Sequence, residues 1–199
     1  MNNPNKIYSY LSIVLSLVLT FPGRFAFGLL SFVHFNILVV LTVLTIHGIK
    51  KMNLGQFVVP FVVTEIASFT VLFRQLLNFF CPVASLSLSF ALYVSAASST
   101  IIPLMFSDPE STLKNDLVVQ LKSSLCVTAF CLLIFLFRDL VGFASITFPV
   151  YQDIYVFKLP FFYDKLQMLS FFGTIPGTFL ILGIILFFVS KYFKSKKDI

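Results

Sequence analysis

The hydrophobic positions of this chain fall into long runs that polar residues interrupt only briefly. A helix needs about 20 apolar residues to cross a bilayer, so each long run predicts a membrane-spanning helix. Six spans are predicted, at residues 7–21, 25–46, 57–77, 83–102, 121–141 and 175–193. We therefore expect an all-α membrane protein that forms a single transmembrane domain over residues 1–199.

Prolines indicate where several of these helices end. Pro22 follows the first run, Pro82 follows Cys81 after the third, and Pro103 closes the fourth. Interrupted helices at corresponding places in the two halves of a chain are typical of inverted repeats. The pairing of Pro22 with Pro103 therefore favours two inverted three-helix repeats with half-helices.

Two segments lack the pattern of a span. Residues 107–120 are polar and predict a connection between the fourth and fifth helices. Residues 143–170 mix many Phe and Tyr residues with charged ones, which is typical of the membrane–water interface. We interpret this second segment as an interfacial loop across one mouth of the helix bundle.

Composition supports the membrane interpretation and excludes other classes of protein. The 199 residues are 58% hydrophobic and only 11% charged, whereas soluble domains carry about 25% charged residues. The net charge is +6, but the lysines concentrate at the ends of apolar runs, so no basic face indicates nucleic-acid binding. We expect a bilayer around the chain and no nucleic-acid partner.

The distribution of Lys and Arg predicts the orientation. With six spans both termini share one side, and that side carries nine of the 14 Lys and Arg residues. Positive residues concentrate on the cytoplasmic side of membrane proteins. We therefore expect a multi-pass protein of the bacterial cytoplasmic (inner) membrane with both termini in the cytoplasm.

The three cysteines do not form a motif. Cys126 and Cys131 are five residues apart, about 140° around a helix, so they do not share a face. Cys81 stands alone before Pro82. We expect three free thiols and no metal site, and no set of catalytic residues is visible in the sequence.

Glu65 is the main polar anomaly, because it lies inside the third predicted span. A carboxylate near the bilayer centre costs on the order of 2.5–3.5 kcal/mol on insertion scales, so Glu65 must be protonated, paired or beside a wet cavity. It is a candidate for an ion or proton path. The alternative is a carboxyl group that is hydrogen-bonded to a neighbouring helix.

Three other residues are weaker candidates for the same path: His34 in the second span, and Arg138 and Asp139 at the end of the fifth. A lone intramembrane His is more often a packed hydrogen-bonding group. Arg138 and Asp139 are adjacent, so their side chains point about 100° apart and do not pair with each other. Their position also allows both side chains to snorkel toward water.

Several stretches, in order along the chain, resemble one family of membrane proteins. Glu65–Phe69 and Arg74–Phe80 resemble an Ile-Ala-Ser run and the Asp-Gln-Ile-Leu-Lys-Ala-Tyr run that follows it. Arg138–Gly142 resembles an Arg-Glu-Leu-Leu-Gly motif, and Pro176–Phe179 followed by Gly183 resembles Pro-Gly-Ala-Phe…Gly. The family comprises the paired six-helix membrane subunits of Rnf-type electron-transport complexes and of the sodium-pumping NADH:quinone oxidoreductase. The resemblance is to the E-type branch of the Rnf complex, whose counterpart in the sodium pump is of the D type.

The resemblance implies a subunit of an ion-translocating oxidoreductase complex, partnered by a homologous six-helix subunit and not catalytic alone. Such pairs hold a 2Fe–2S cluster through one Cys from a half-helix in each repeat, and clusters need thiolates. The corresponding positions here are Val14 and Ser99. We therefore expect that this chain binds no cluster or other cofactor and contributes a scaffold, with a possible role in the ion or electron path.

Two other functions remain open from the sequence. The substrate-binding membrane component of an energy-coupling-factor vitamin transporter is also basic, has six helices and has about this length. A packing subunit without a transport role would have the same composition. Arg138–Gly142 and Pro176–Gly183 favour the electron-transport complex over both.

Overall fold

The computed structural model describes residues 13–106, 112–159 and 167–195. Seven helices and one β-hairpin follow each other along these residues. The helices are α1 (residues 13–20), α2 (Phe25–Lys51), α3 (Val58–Phe80), α4 (Pro82–Leu88), α5 (Ala91–Phe106), α6 (Leu113–Phe143) and α7 (Ile175–Ser195). The strands are β1 (Ser145–Val150) and β2 (Asp153–Lys158), and short 3₁₀ turns occupy Gly55–Phe57 and Gln167–Gly173.

Three of the described helices are long and apolar enough to cross a bilayer: α2, α3 with its preceding turn, and α6. A fourth crossing results if α4 and α5 are counted as one span. The apolar part of α7, Ile175–Ile185, is shorter than a full crossing. The fold is therefore mostly helical, with several helices suited to a multi-pass membrane protein. Residues 7–12 of the first predicted span lie outside the described residues.

The fourth predicted span differs from the straight helix that we expected. It is bent by 66° between α4 and α5, so residues 83–102 do not form one continuous rod. Pro103 lies inside α5, which continues to Phe106. A proline within a helix removes one backbone hydrogen bond without always ending the helix. The prediction that Pro103 ends a helix as Pro22 does is therefore wrong, although α1 does end before Pro22.

Helix α6 is longer than predicted. It begins at Leu113, so part of the segment that we interpreted as a polar connection is helical. The reason is visible in its buried face, where polar residues repeat every fourth position at Asp116, Gln120, Ser124 and Thr128. This spacing keeps them on one side of a helix. Residues 107–111 lie outside the described part of the chain.

The interfacial segment contains a hairpin, which corrects the prediction of a purely helical chain. Strands β1 and β2 pair in antiparallel register from Ser145 opposite Lys158 to Val150 opposite Asp153. Gln152 closes the turn with a positive φ of 67°, and its N–H donates to the carbonyl of Phe80 at 2.7 Å. The hairpin is thus fastened to the end of α3.

Helix α2 lies at the centre of the fold and packs against α3, α5, α6 and β1. Its Gly28 allows the close approach of α6, because a Cβ at this position would lie 2.7 Å from Cδ2 of Phe135. Phe135 is itself buried and meets Phe21 edge-on in the main apolar cluster. The core is therefore built around the α2–α6 contact.

Candidate functional site

Helices α2 and α6 run antiparallel and are joined by buried polar groups at three levels. Position 25 faces Asp139, Asn36 faces Ser124 and Thr128, and His47 faces Asp116. The first and last of these levels are about 33 Å apart along α2, at a rise of 1.5 Å per residue. We call this row of contacts the polar seam.

At the first level Asp139 is completely buried and caps the start of α2. One oxygen accepts the N–H of Phe25 at 3.1 Å and both the N–H and the hydroxyl of Thr147, at 2.8 and 2.6 Å. The other accepts the hydroxyl of Ser145 at 3.2 Å. Because the first N–H groups of a helix have no partner within it, Asp139 stabilises the N-terminus of α2 and fixes β1 against it.

Arg24 completes the surroundings of Asp139. Its Nη1 lies 3.7 Å from Oδ1 of Asp139 and donates to the hydroxyl of Ser145 at 3.1 Å. Its guanidinium also lies 4.1 Å from the centre of the Phe143 ring. The buried carboxyl group therefore has both a nearby cation and several hydrogen-bond donors, as a buried ionisable group requires.

Arg138 is also buried, with 1% of its surface exposed, but it binds a different set of groups. Its Nη1 donates to the carbonyls of Val18 and Phe21, at 3.0 and 3.4 Å, and its Nη2 to that of Gly173 at 3.2 Å. Carbonyls at the end of a helix lack intrahelical partners, so Arg138 satisfies the end of α1. The snorkelling alternative for Arg138 and Asp139 is therefore wrong.

At the middle level Asn36 fixes the register of α2 on α6. Its Nδ2 donates to the hydroxyl of Thr128 at 3.1 Å and to the carbonyl of Phe32 at 2.8 Å. Its Oδ1 accepts the hydroxyl of Ser124 at 2.6 Å. The amide thus uses both of its ends within the bundle.

His34 lies on the side of α2 that faces α3 and α5, and it is completely buried. Its Nδ1 is 3.3 Å from the hydroxyl of Ser95, and its ring lies against Phe69 and Phe73. Its Nε2 has no hydrogen-bond partner among the residues that the structure describes. The surroundings are those of a packed hydrogen-bonding group, and the role of His34 in an ion path stays a prediction.

Glu65 is half-buried between α3 and α2, where it accepts a short hydrogen bond from the hydroxyl of Thr45. This is the contact with a neighbouring helix that the sequence left as an alternative to an ion path. Glu65, His34 and the pair Arg138–Asp139 have separate sets of partners. The structure therefore does not assemble the four candidates into one site.

The third level of the seam contains residues that the sequence analysis missed. Nδ1 of His47 lies 3.9 Å from Oδ2 of Asp116, and Nε2 of Gln120 donates to Oδ1 of Asp116 at 3.2 Å. Asp116 is buried although it was assigned to a polar connection. The signal that indicates this level is the four-residue polar repeat of α6, which starts before the apolar run.

The positions that resemble cluster ligands do not fit an iron–sulfur cluster. Val14 is part of the main apolar cluster and has no donor atom, and the hydroxyl of Ser99 donates to the carbonyl of Ala96 at 2.7 Å. The free cysteines lie elsewhere: Cys126 and Cys131 on α6, and Cys81 at the end of α3. Within the described ranges no three His, Cys, Asp or Glu side chains are placed to hold a metal ion.

The helices that carry these two positions nevertheless meet. The hydroxyls of Ser16 on α1 and Ser98 on α5 are 2.7 Å apart. Val14 lies two residues before Ser16, and Ser99 follows Ser98. Short α1 and the bent α4–α5 pair are therefore in direct contact near the two positions.

No protein-family model, curated protein or solved structure matches this chain.

Proposed function

We propose that this chain is a divergent membrane subunit of an ion-translocating electron-transport complex of the Rnf and sodium-pumping NADH:quinone oxidoreductase type. The observation that carries the proposal is the convergence of segments that resemble the family at one junction. Arg138 donates to the carbonyl of Gly173, just before α7 begins. A Cβ at Gly142 would lie 2.5 Å from the backbone nitrogen of Gly173, so the two chain segments touch here.

The broken helices give independent support. Inverted-repeat transporters place short or interrupted helices face to face near the middle of the membrane. Helix α1 and the bent α4–α5 pair, joined by the hydroxyls of Ser16 and Ser98, have this relation. We propose that α1, α2, α3, α4–α5, α6 and α7 correspond to six spans. Both termini would then lie on the cytoplasmic side of the bacterial inner membrane.

The proposed role is that of a scaffold with an ion path and without its own cluster. Arg138 and Asp139 hold the ends of α1, α2 and β1, which suits a structural role. Glu65 is different, because Thr45 occupies one of its oxygens and the side chain is only half-buried. An intramembrane carboxyl group with a free acceptor oxygen is suited to bind a proton or a hard cation in passing. The partner in the complex would be a homologous six-helix subunit.

The test is purification of the tagged full chain from its native membrane, followed by measurement of ion uptake driven by oxidation of the electron donor. We expect flavoprotein and ferredoxin-like subunits to co-purify. Glu65→Gln should abolish ion movement while the complex still assembles. Ser68→Ala, one turn later on the exposed side of α3, is the matched control and should leave ion movement unchanged.

Three results would contradict parts of the proposal. Unchanged ion movement in Glu65→Gln would remove the ion-path role, and stoichiometric iron coordinated by this chain would remove the expectation that it lacks a cluster. Co-purification with a pair of ATPase subunits instead of redox subunits would contradict membership of an electron-transport complex.

A further inference from the structure

A cavity of about 340 Å³ lies between α3, α4 and α5, away from the polar seam. Arg74, Gln75 and Asn78 line it from α3, while Ser85 and Tyr93 line it from α4 and α5. Its volume lies within the range of small-molecule sites, which begins at about 300 Å³. Three helices thus direct a cation, two amides and two hydroxyl groups toward one space.

The bend between α4 and α5 forms this cavity. A straight helix after Pro82 would continue along one line, whereas the 66° bend turns α5 away from α4. The hydroxyl of Ser85 donates to the backbone carbonyl of Arg74 at 3.4 Å and holds α4 against α3. The floor of the cavity is therefore fixed, and its polar groups are held in place by backbone geometry.

The charge of the cavity is positive and is not neutralised within the described part of the chain. Arg74 is the one charged residue among those that line it, and no described carboxyl group forms an ion pair with Arg74. Glu65 lies nine residues earlier on α3, about 14 Å along the helix axis and on its opposite side. A ligand with a negative charge would therefore meet an uncompensated guanidinium.

The position of the cavity indicates what kind of anion can reach it. Arg74 lies six residues, or about 9 Å, before the end of α3 at Phe80, where the hairpin is fastened. The surface beside it is apolar and exposed, with Leu72, Leu76 and Leu86 among its residues. This depth matches the boundary between lipid headgroups and acyl chains. The neighbouring surface is suited to acyl chains and not to water.

We propose that this cavity binds the phosphate headgroup of an anionic amphiphile, of which a membrane phospholipid is the expected source. The guanidinium of Arg74 would pair with the phosphate, and the amides of Gln75 and Asn78 would donate to its oxygens. The acyl chains would lie along the apolar surface of α3 and α4. The proposal rests on the cavity alone and does not depend on the proposed function.

The test uses the purified full chain in a non-ionic detergent and counts bound lipids by native mass spectrometry. We expect phosphatidylglycerol to bind about tenfold more tightly than phosphatidylcholine, as one charge-assisted pair of about 1.4 kcal/mol would give. Arg74→Gln should remove this preference. Lys51→Gln removes the same charge from an exposed position at the other end of α2, so it should retain the preference.

A third variant and a soluble competitor separate the two sources of phosphate. Leu86→Ser should weaken phosphatidylglycerol binding, because it removes apolar surface beside the cavity, and millimolar inorganic phosphate should not displace the lipid. If inorganic phosphate displaces the lipid, the site serves a soluble anion and the proposed ligand is wrong. Equal lipid preference in Arg74→Gln and the wild type, with both folded as judged by their Tm, would overturn the site itself.

Discussion

Helices α2 and α3 look similar in sequence but are covered very differently by the rest of the chain. They span 27 and, with the preceding turn, 26 residues, and both are apolar enough to cross a membrane. Half of the most apolar stretch of α2 is buried inside the fold, but only 17% of that of α3 is. Apolarity therefore predicts that both helices enter a membrane and does not predict what each of them faces.

The polar groups of the two helices follow the same division. Asn36 uses both ends of its amide within the bundle, and the N-terminus of α2 is capped by Asp139. On α3, Arg74, Gln75 and Asn78 line an open cavity. Polar groups that are paired within the chain stabilise the fold, whereas polar groups directed outward are available to a ligand or partner. The predictions below test this division.

The largest effect is expected at Asp139. Asp139→Ala removes the acceptor of Phe25 and Thr147 and leaves Arg24 without its carboxylate, so unfolding free energy should fall by about 3–5 kcal/mol. Reversible unfolding in mixed micelles measures this. Asp139→Asn retains one acceptor oxygen and should lose less. A loss below about 1 kcal/mol for Asp139→Ala would mean that the cap does not stabilise α2.

Two glycines of α2 provide a matched pair for its packing. Gly28→Ala brings a Cβ within 2.7 Å of Phe135 and should destabilise the protein by about 1–3 kcal/mol. Gly48→Ala has nothing within 4 Å and should stabilise it by up to about 1 kcal/mol through helix propensity. Thermal unfolding in detergent compares the two. Equal shifts in Tm would contradict the close α2–α6 contact.

A smaller effect is expected in the middle of the polar seam. Asn36→Ala removes hydrogen bonds to Thr128 and Ser124, and bonds of this kind between membrane helices contribute about 0.6 kcal/mol each. We expect a loss of about 1 kcal/mol. A double-mutant cycle with Ser124→Ala should give a positive coupling energy in the same unfolding assay. Strict additivity would show that the two side chains do not interact.

The smallest effect is expected on the exposed side of α3. Ser68 donates only to the carbonyl of Thr64 on its own helix, so Ser68→Ala should change unfolding free energy by no more than about 0.5 kcal/mol. The measurement is made on the isolated chain in detergent. A loss above about 1 kcal/mol, with the chain self-associated in sedimentation, would show that this side of α3 is covered and would remove the contrast with α2.

Several features of the fold follow from local sequence alone. The ends of α1 before Pro22 and of α3 before Pro82 were predicted, because proline disrupts a helix wherever the chain carries it. Pro103 shows the limit of this rule, since α5 tolerates it. The early start of α6 was also accessible, because the repeat from Asp116 to Thr128 has helical spacing. The hairpin was missed because its aromatic residues suggested an interfacial loop without regular pairing.

The sequence by itself determined that this chain is apolar, mostly helical and suited to several membrane crossings, because hydropathy and proline position are local properties. It also identified Glu65, His34, Arg138 and Asp139 as costly polar residues within or beside spans. Only the tertiary structure decided which of them are satisfied: Arg138 and Asp139 bind groups more than 100 residues away, and Glu65 binds Thr45. The partners of a buried polar group are set by which helices pack together, and hydropathy carries no information about that choice.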